Sequence, residues 1–70
     1  MEQIVAVERN ISGDIISLKT SNGRVISYRK AIMEIQTGMI EGVQVEENID
    51  QEGISLAIID TFESLPTIYN

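Results

Sequence analysis

Apolar and polar residues alternate through most of this chain, and a stretch of helical period interrupts the alternation near the middle. Gln3 to Arg9 contains Ile4-Val5-Ala6-Val7, rich in β-branched side chains, and is followed by Asn10 and Ser12-Gly13-Asp14, so it reads as a strand closed by a turn. Ile15 to Thr20 reads as a second strand, with Ile16 and Leu18 facing one way and Ser17 and Lys19 the other. Ser21-Asn22-Gly23 supplies an Asn-Gly pair that tolerates positive φ, so Arg24 to Ser27 is expected to return antiparallel as a tight hairpin.

After Ser27 the apolar positions Tyr28, Ala31, Ile32, Ile35 and Met39 fall on one helical face, while Arg29, Lys30, Glu34 and Gln36 lie largely outside it. Ser27 is placed to cap this helix of about three turns and Gly38 to stop it. Ile40 to Glu46 then reads as a strand, Glu47 to Gly53 as a polar acidic connection, and Ile54 to Asp60 as the last strand. Pro66 argues against a further central strand in the tail.

The fold class that follows is α+β: an antiparallel β-meander of three strands, one short helix, then a two-strand hairpin, packed as one small sheet or partly open barrel. Residues 1–60 are expected to form a single domain, with 61–70 a C-terminal tail packing on the sheet or on a partner subunit. The last strand is apolar on both faces, Ile54, Leu56 and Ile58 against Ala57 and Ile59, so one face needs cover from the tail or from a second copy. Ala57, Ile59 and Phe62 are therefore the candidate oligomer interface.

Length and composition sharpen this. Seventy residues hold one thin core. Neither cysteine nor histidine is present, which rules out disulfides and Cys- or His-held zinc and leaves self-association as a common way to add stability. The first residues carry no basic leader, Ile4 to Val7 is far shorter than a signal h-region, and no apolar run approaches the roughly 20 residues of a membrane span. A soluble cytoplasmic protein without membrane contact is the expectation.

The net charge of −6 is unevenly spread. All five bases lie in the first thirty positions against three acids, whereas the last forty hold eight acids and no base. Such a distribution disfavours nucleic-acid binding and steers a basic protein partner toward Glu41, Glu46, Glu47, Asp50 and Glu52.

Candidate chemistry is sparse. Without histidine or cysteine no Ser-His-Asp or Cys-His arrangement can be assembled, and the glutamates of an exposed strand and loop lack the burial that separates the pKa values of an acid and base pair. No catalytic residue, metal site or cofactor is expected. Glu46, Glu47, Asp50 and Glu52 do not have the spacing of a calcium loop and read as a solvated segment. Arg9, Lys19 and Arg24, on three neighbouring strands, form a candidate anion patch, with cross-strand pairing to Glu8 or Asp14 as the plainer reading.

Ile4-Val5-Ala6-Val7, Gly13-Asp14-Ile15, Leu18-Lys19, Asn22-Gly23-Arg24, Ser27 with Ala31-Ile32, and Gly38-Met39-Ile40-Glu41-Gly42-Val43 together resemble the domain of unknown function 3892 family of short bacterial proteins. The resemblance runs from about Ile4 to Leu56, with Ser64-Leu65-Pro66 as a weaker echo, and departs from the family at Glu8, at Arg29-Lys30 and along Ile54 to Ile59. It implies the strand, helix, strand order and no activity.

The reading is a non-enzymatic protein-interaction module that self-associates and presents an acidic surface. The alternatives are a small anionic-ligand-binding protein, held by Arg9, Arg24 or Arg29, and an acidic nucleic-acid mimic acting on a bacterial or phage enzyme.

Overall fold

The computed structural model describes residues 2–51, 53–58 and 62–68. Five strands and a helix follow in the order β1 (Ile4–Arg9), β2 (Ile15–Thr20), β3 (Val25–Ser27), α1 (Tyr28–Gln36), β4 (Val45–Asp50) and β5 (Gly53–Ile58). The first three strands form an antiparallel meander, and the last two pair antiparallel as a sheet of their own. The result is the small α+β fold expected, meander, helix and hairpin, with the strands in two sheets rather than one.

The two turns of the meander are alike. Gly13 N–H donates to the Asn10 carbonyl at 3.0 Å and Asn10 N–H to the Asp14 carbonyl at 2.9 Å; Gly23 N–H and Thr20 N–H repeat both bonds to Thr20 and Arg24 at 2.9 and 2.8 Å. Each is a three-residue loop whose last member must take positive φ, and Gly13 (88°) and Gly23 (86°) supply it without a Cβ penalty. The first residue of each turn reinforces it with its side chain. Asn10 Oδ1 accepts from Ser12 and Asp14 N–H at 3.0 and 2.9 Å, and Thr20 Oγ1 from Arg24 N–H at 3.3 Å.

The faces of the meander differ from simple alternation at two places. Ile4 pairs with Thr20 and Ala6 with Lys19, leaving Val5 as an extra residue; Glu8 pairs with Ser17 and Arg9 with Ile15, leaving Ile16 as another. Each bulge shifts the side-chain phase by one. Ile15, not Ile16, therefore joins Leu18 on the core face, and Ile16 is exposed.

Helix α1 begins where Ser27 Oγ accepts Lys30 N–H at 3.2 Å. It ends in a Schellman arrangement around Gly38, with Met39 N–H donating to Glu34 carbonyl at 2.9 Å and Gly38 N–H to Ile35 carbonyl at 3.2 Å. That reversal carries Met39 off the apolar stripe, and it is exposed. Val7, Leu18 and Ile26, one row across the meander, meet Ala31 of the helix, Ile40 and Phe62 as the core.

Two parallel bridges tie the ends of the chain to this unit. Glu2 lies beside Ile40, its N–H donating to Met39 carbonyl at 3.2 Å and its carbonyl accepting Glu41 N–H at 2.9 Å. Thr67 lies beside Val7 on the free edge of β1, where Val7 N–H donates to Pro66 carbonyl at 3.1 Å and Ile68 N–H to Val7 carbonyl at 3.0 Å. Pro66 has no N–H to give, and in this position only its carbonyl is needed.

The fourth strand starts later than its sequence suggests. Ile40 is a single bridge residue rather than the start of a strand, Gly42 takes φ 80°, and the ladder runs from Val45 to Asp50 through what reads as a polar connection. An edge strand needs only one covered face, so Glu46 and Glu47 remain in water while the backbone pairs. Asp50 pairs directly with Gly53.

Candidate partner-binding surface

The most strongly interacting charged groups lie at the rim of the core. Arg24, just before β3, spreads its guanidinium between two carboxylates: Nε and Nη2 donate to Glu2 Oε2 and Oε1 at 3.1 and 2.6 Å, while Nη1 and Nη2 donate to Glu34 Oε2 and Oε1 at 3.2 and 2.5 Å. Both contacts are two-point, the geometry that suits a planar fork. The side chains of Glu2 and Glu34 are 11% and 7% exposed. Hydrogen bonding to Arg24 holds both carboxyls below the usual carboxylate range, and Thr20 adds to the effect at Glu2. The same bonds, Glu34 first, hold the guanidinium firmly protonated.

This cluster clamps the first residues, the β2–β3 turn and the helix to one another. Its members satisfy one another's hydrogen bonding, so its chemistry is structural. Glu34 is accordingly buried, not outside the packed face of the helix. The signal for it lies in the spacing: Glu34 is three residues after the fully buried Ala31 and beside Ile35, on the border of the apolar stripe.

The three bases of the sequence-derived anion patch are placed apart. Arg24 is held on the helix side of the meander, Lys19 follows Leu18 and so points to the opposite face, and Arg9 Nη1 donates to the Gly13 carbonyl at 3.3 Å across its own hairpin loop. Two shallow grooves open on the surface. One of about 260 Å³ is lined by Gln3, Ile4, Glu41, Gly42, Val43 and Phe62, and one of about 400 Å³ by Gly13, Asp14, Ile15, Tyr28 and Ile58. Each contains an acid and no base. Among the described residues no three acids converge as a metal site would require.

The residues of the acidic surface fall mainly on one element. Glu46 and Glu47 are exposed on β4, opposite Ala57 and Leu56 of β5, and as sequence neighbours in a strand they face opposite ways. Asp50 ends the strand opposite Gly53, Glu52 lies outside the described residues, and exposed Glu41 sits apart in the loop after the helix, 3.5 Å from Gln3 Nε2. Of the three interface candidates, Ala57 is half-buried in β5 and Ile59 lies outside the described residues. Phe62 is buried in its own chain's core at 8% exposure, with a left-handed φ of 52°.

Among the described residues, the contact of the β4–β5 hairpin with the core lies at one end. Ile58 packs against the core and its N–H donates to the Tyr28 hydroxyl at 2.8 Å, whereas Ile49, toward the turn, is 76% exposed. The sequence pattern places Glu46 at the end of a strand but does not reveal that the strand continues through Glu47 to Asp50.

Comparison with known proteins adds a relative but no activity. The chain is 41% identical over 44 residues to the uncharacterised protein YwsA of Bacillus subtilis (strain 168), a stretch that covers 63% of this chain and 45% of that protein. The chain thus spans about half the length of the curated relative it matches. No solved structure matches it. No helix among the described residues is long and apolar enough to cross a membrane. Residues 3–53, from the first strand through the turn that opens the last, match the family described as protein of unknown function (DUF3892), and the chain belongs to that family.

Proposed function

We propose that this chain is a non-enzymatic protein-interaction module whose binding element is the β4–β5 hairpin. The observation that carries the reading is the position of β4: among the described residues it pairs with β5 alone, and it holds exposed Ile49 close to the exposed Glu46 and Glu47. An apolar side chain set among like charges is a common form of specific docking surface, in which charge speeds encounter and the apolar contact holds the complex. The rest of the molecule supports the same reading, because its tightest polar cluster is closed on itself and its grooves are shallow.

The test is affinity capture from a bacterial extract, using the full chain and a variant carrying Glu46→Lys and Glu47→Lys. A partner held by the native chain, weakened by 0.5 M salt and lost in the double variant but retained by Glu41→Lys, is the expected result. Capture that ignores both salt and the double substitution would overturn the assignment to this hairpin.

A further inference from the structure

Resting on that reading, we infer that β4 binds its partner by strand addition, taking up an extended basic segment along its open edge. The backbone supplies the argument. Ile58 N–H is bonded to the Tyr28 hydroxyl, so it is turned away from β4, and the pair Val45–Ile58 is one whose N–H and C=O groups point outward. Outward and inward pairs alternate along an antiparallel ladder. Glu47–Leu56 and Ile49–Ile54 are therefore outward pairs as well, while Glu46–Ala57 and Asn48–Ser55 close on each other. Val45, Glu47 and Ile49 then each present a donor and an acceptor along an edge that no other strand among the described residues covers.

Charge selects the occupant. A second copy pairing β4 against β4 would crowd the Glu46 and Glu47 carboxylates of both chains onto neighbouring rungs, and like charges across a ladder are destabilising. A basic segment gains from the same positions. Set antiparallel along Ile49 to Val45, it would read apolar, polar, basic, basic, apolar, with its two bases meeting Glu47 on one face and Glu46 on the other. The hydrogen bonds give affinity and the side chains give register.

The probe is a capped peptide Thr-Val-Thr-Lys-Lys-Val-Thr, compared with Gly-Ser-Gly-Lys-Lys-Gly-Ser, which has equal charge and little tendency to extend. The expected result is binding of the first at least about tenfold tighter than the second. Amide exchange should slow at Val45, Glu47 and Ile49 of the native chain on peptide addition, with little change at Glu46 and Asn48. Ile49→Pro, which removes one outward N–H and leaves the pairing with β5 intact, should weaken binding about tenfold, whereas Ile49→Thr keeps the donor and should weaken it less. Exchange on the unmodified chain keeps the test valid even if Ile49→Pro does not fold.

Equal binding of both peptides without the alternating protection would overturn strand addition and leave a charge-led interaction module standing. Binding of neither, or edge protection that rises with protein concentration alone, would also overturn it, the latter in favour of a second copy.

Discussion

The meander with its helix and the β4–β5 hairpin are both antiparallel and both joined by short turns, yet they are held in different ways. In the meander one row of side chains, Val7, Leu18 and Ile26, lies under the helix, both chain ends are bonded to it, and Arg24 links its last turn to Glu2 and Glu34. The hairpin is packed at Ile58, whereas Ile49 near its turn is exposed. An isolated two-stranded ribbon is marginal in water, so its order is borrowed from the end that touches the core. Stability therefore resides in one region, and an adaptable open edge in the other.

Substitutions should separate the two regions. Leu18→Ala removes a fully buried side chain from the central row and should cost about 2–5 kcal/mol, comparable with the whole stability of so short a chain. Urea or thermal denaturation should find it largely unfolded. Retention of a native melting curve would show that the row is not the core.

Arg24→Ala comes next, because it leaves two poorly exposed carboxylates without the guanidinium that bridges them. Its Tm should fall by on the order of 10 °C. The same cluster sets the acid limit. Both carboxyls have folded pKa values below 4.5, so the unfolded chain binds protons more readily. Their contribution is fully present above about pH 4.5 and is lost as pH falls through the lowered values. A urea midpoint followed from pH 7 to pH 3 should hold nearly level and then drop, and in Arg24→Met the drop should be shallower. An unchanged slope would remove the clamp from the account of stability.

Gly23→Ala forces a Cβ into a left-handed turn with open space around it, so the penalty is conformational, about 1 kcal/mol. Ile49→Thr should be nearly silent, within about 0.5 kcal/mol, as its side chain is already in water. A large loss at Ile49 would mean that the outer hairpin is packed, and the contrast between the two regions would fail.

Several features were legible in the chain. Ser12-Gly13 and Asn22-Gly23 mark the two turns, Ser27 caps the helix, and Gly38 ends it, because each depends on backbone preferences within a few residues. The strand, helix, strand order follows from the change to a helical period after Ser27 and the return to alternation beyond Gly38. Of the surface, the acids at Glu46 and Glu47 were legible as charge, since charge is a property of residues rather than of arrangement.

What tertiary structure decided is of another kind. Ile15 turns inward and Ile16 outward because the pairing with β1 inserts a bulge, and a one-residue slip exchanges the faces of a strand without altering its pattern. Glu34 is buried and Arg24 occupied because Glu2, brought beside Ile40, completes a three-residue clamp from positions far apart in the chain. Phe62 enters the core and residues 66–68 cover the edge of β1, and β4 runs through acids that look like a loop. Local preferences act over three or four residues and are written into the chain order. Registers, burial of charge and the choice of which edge stays open depend on which distant segments meet, and only the folded chain settles that.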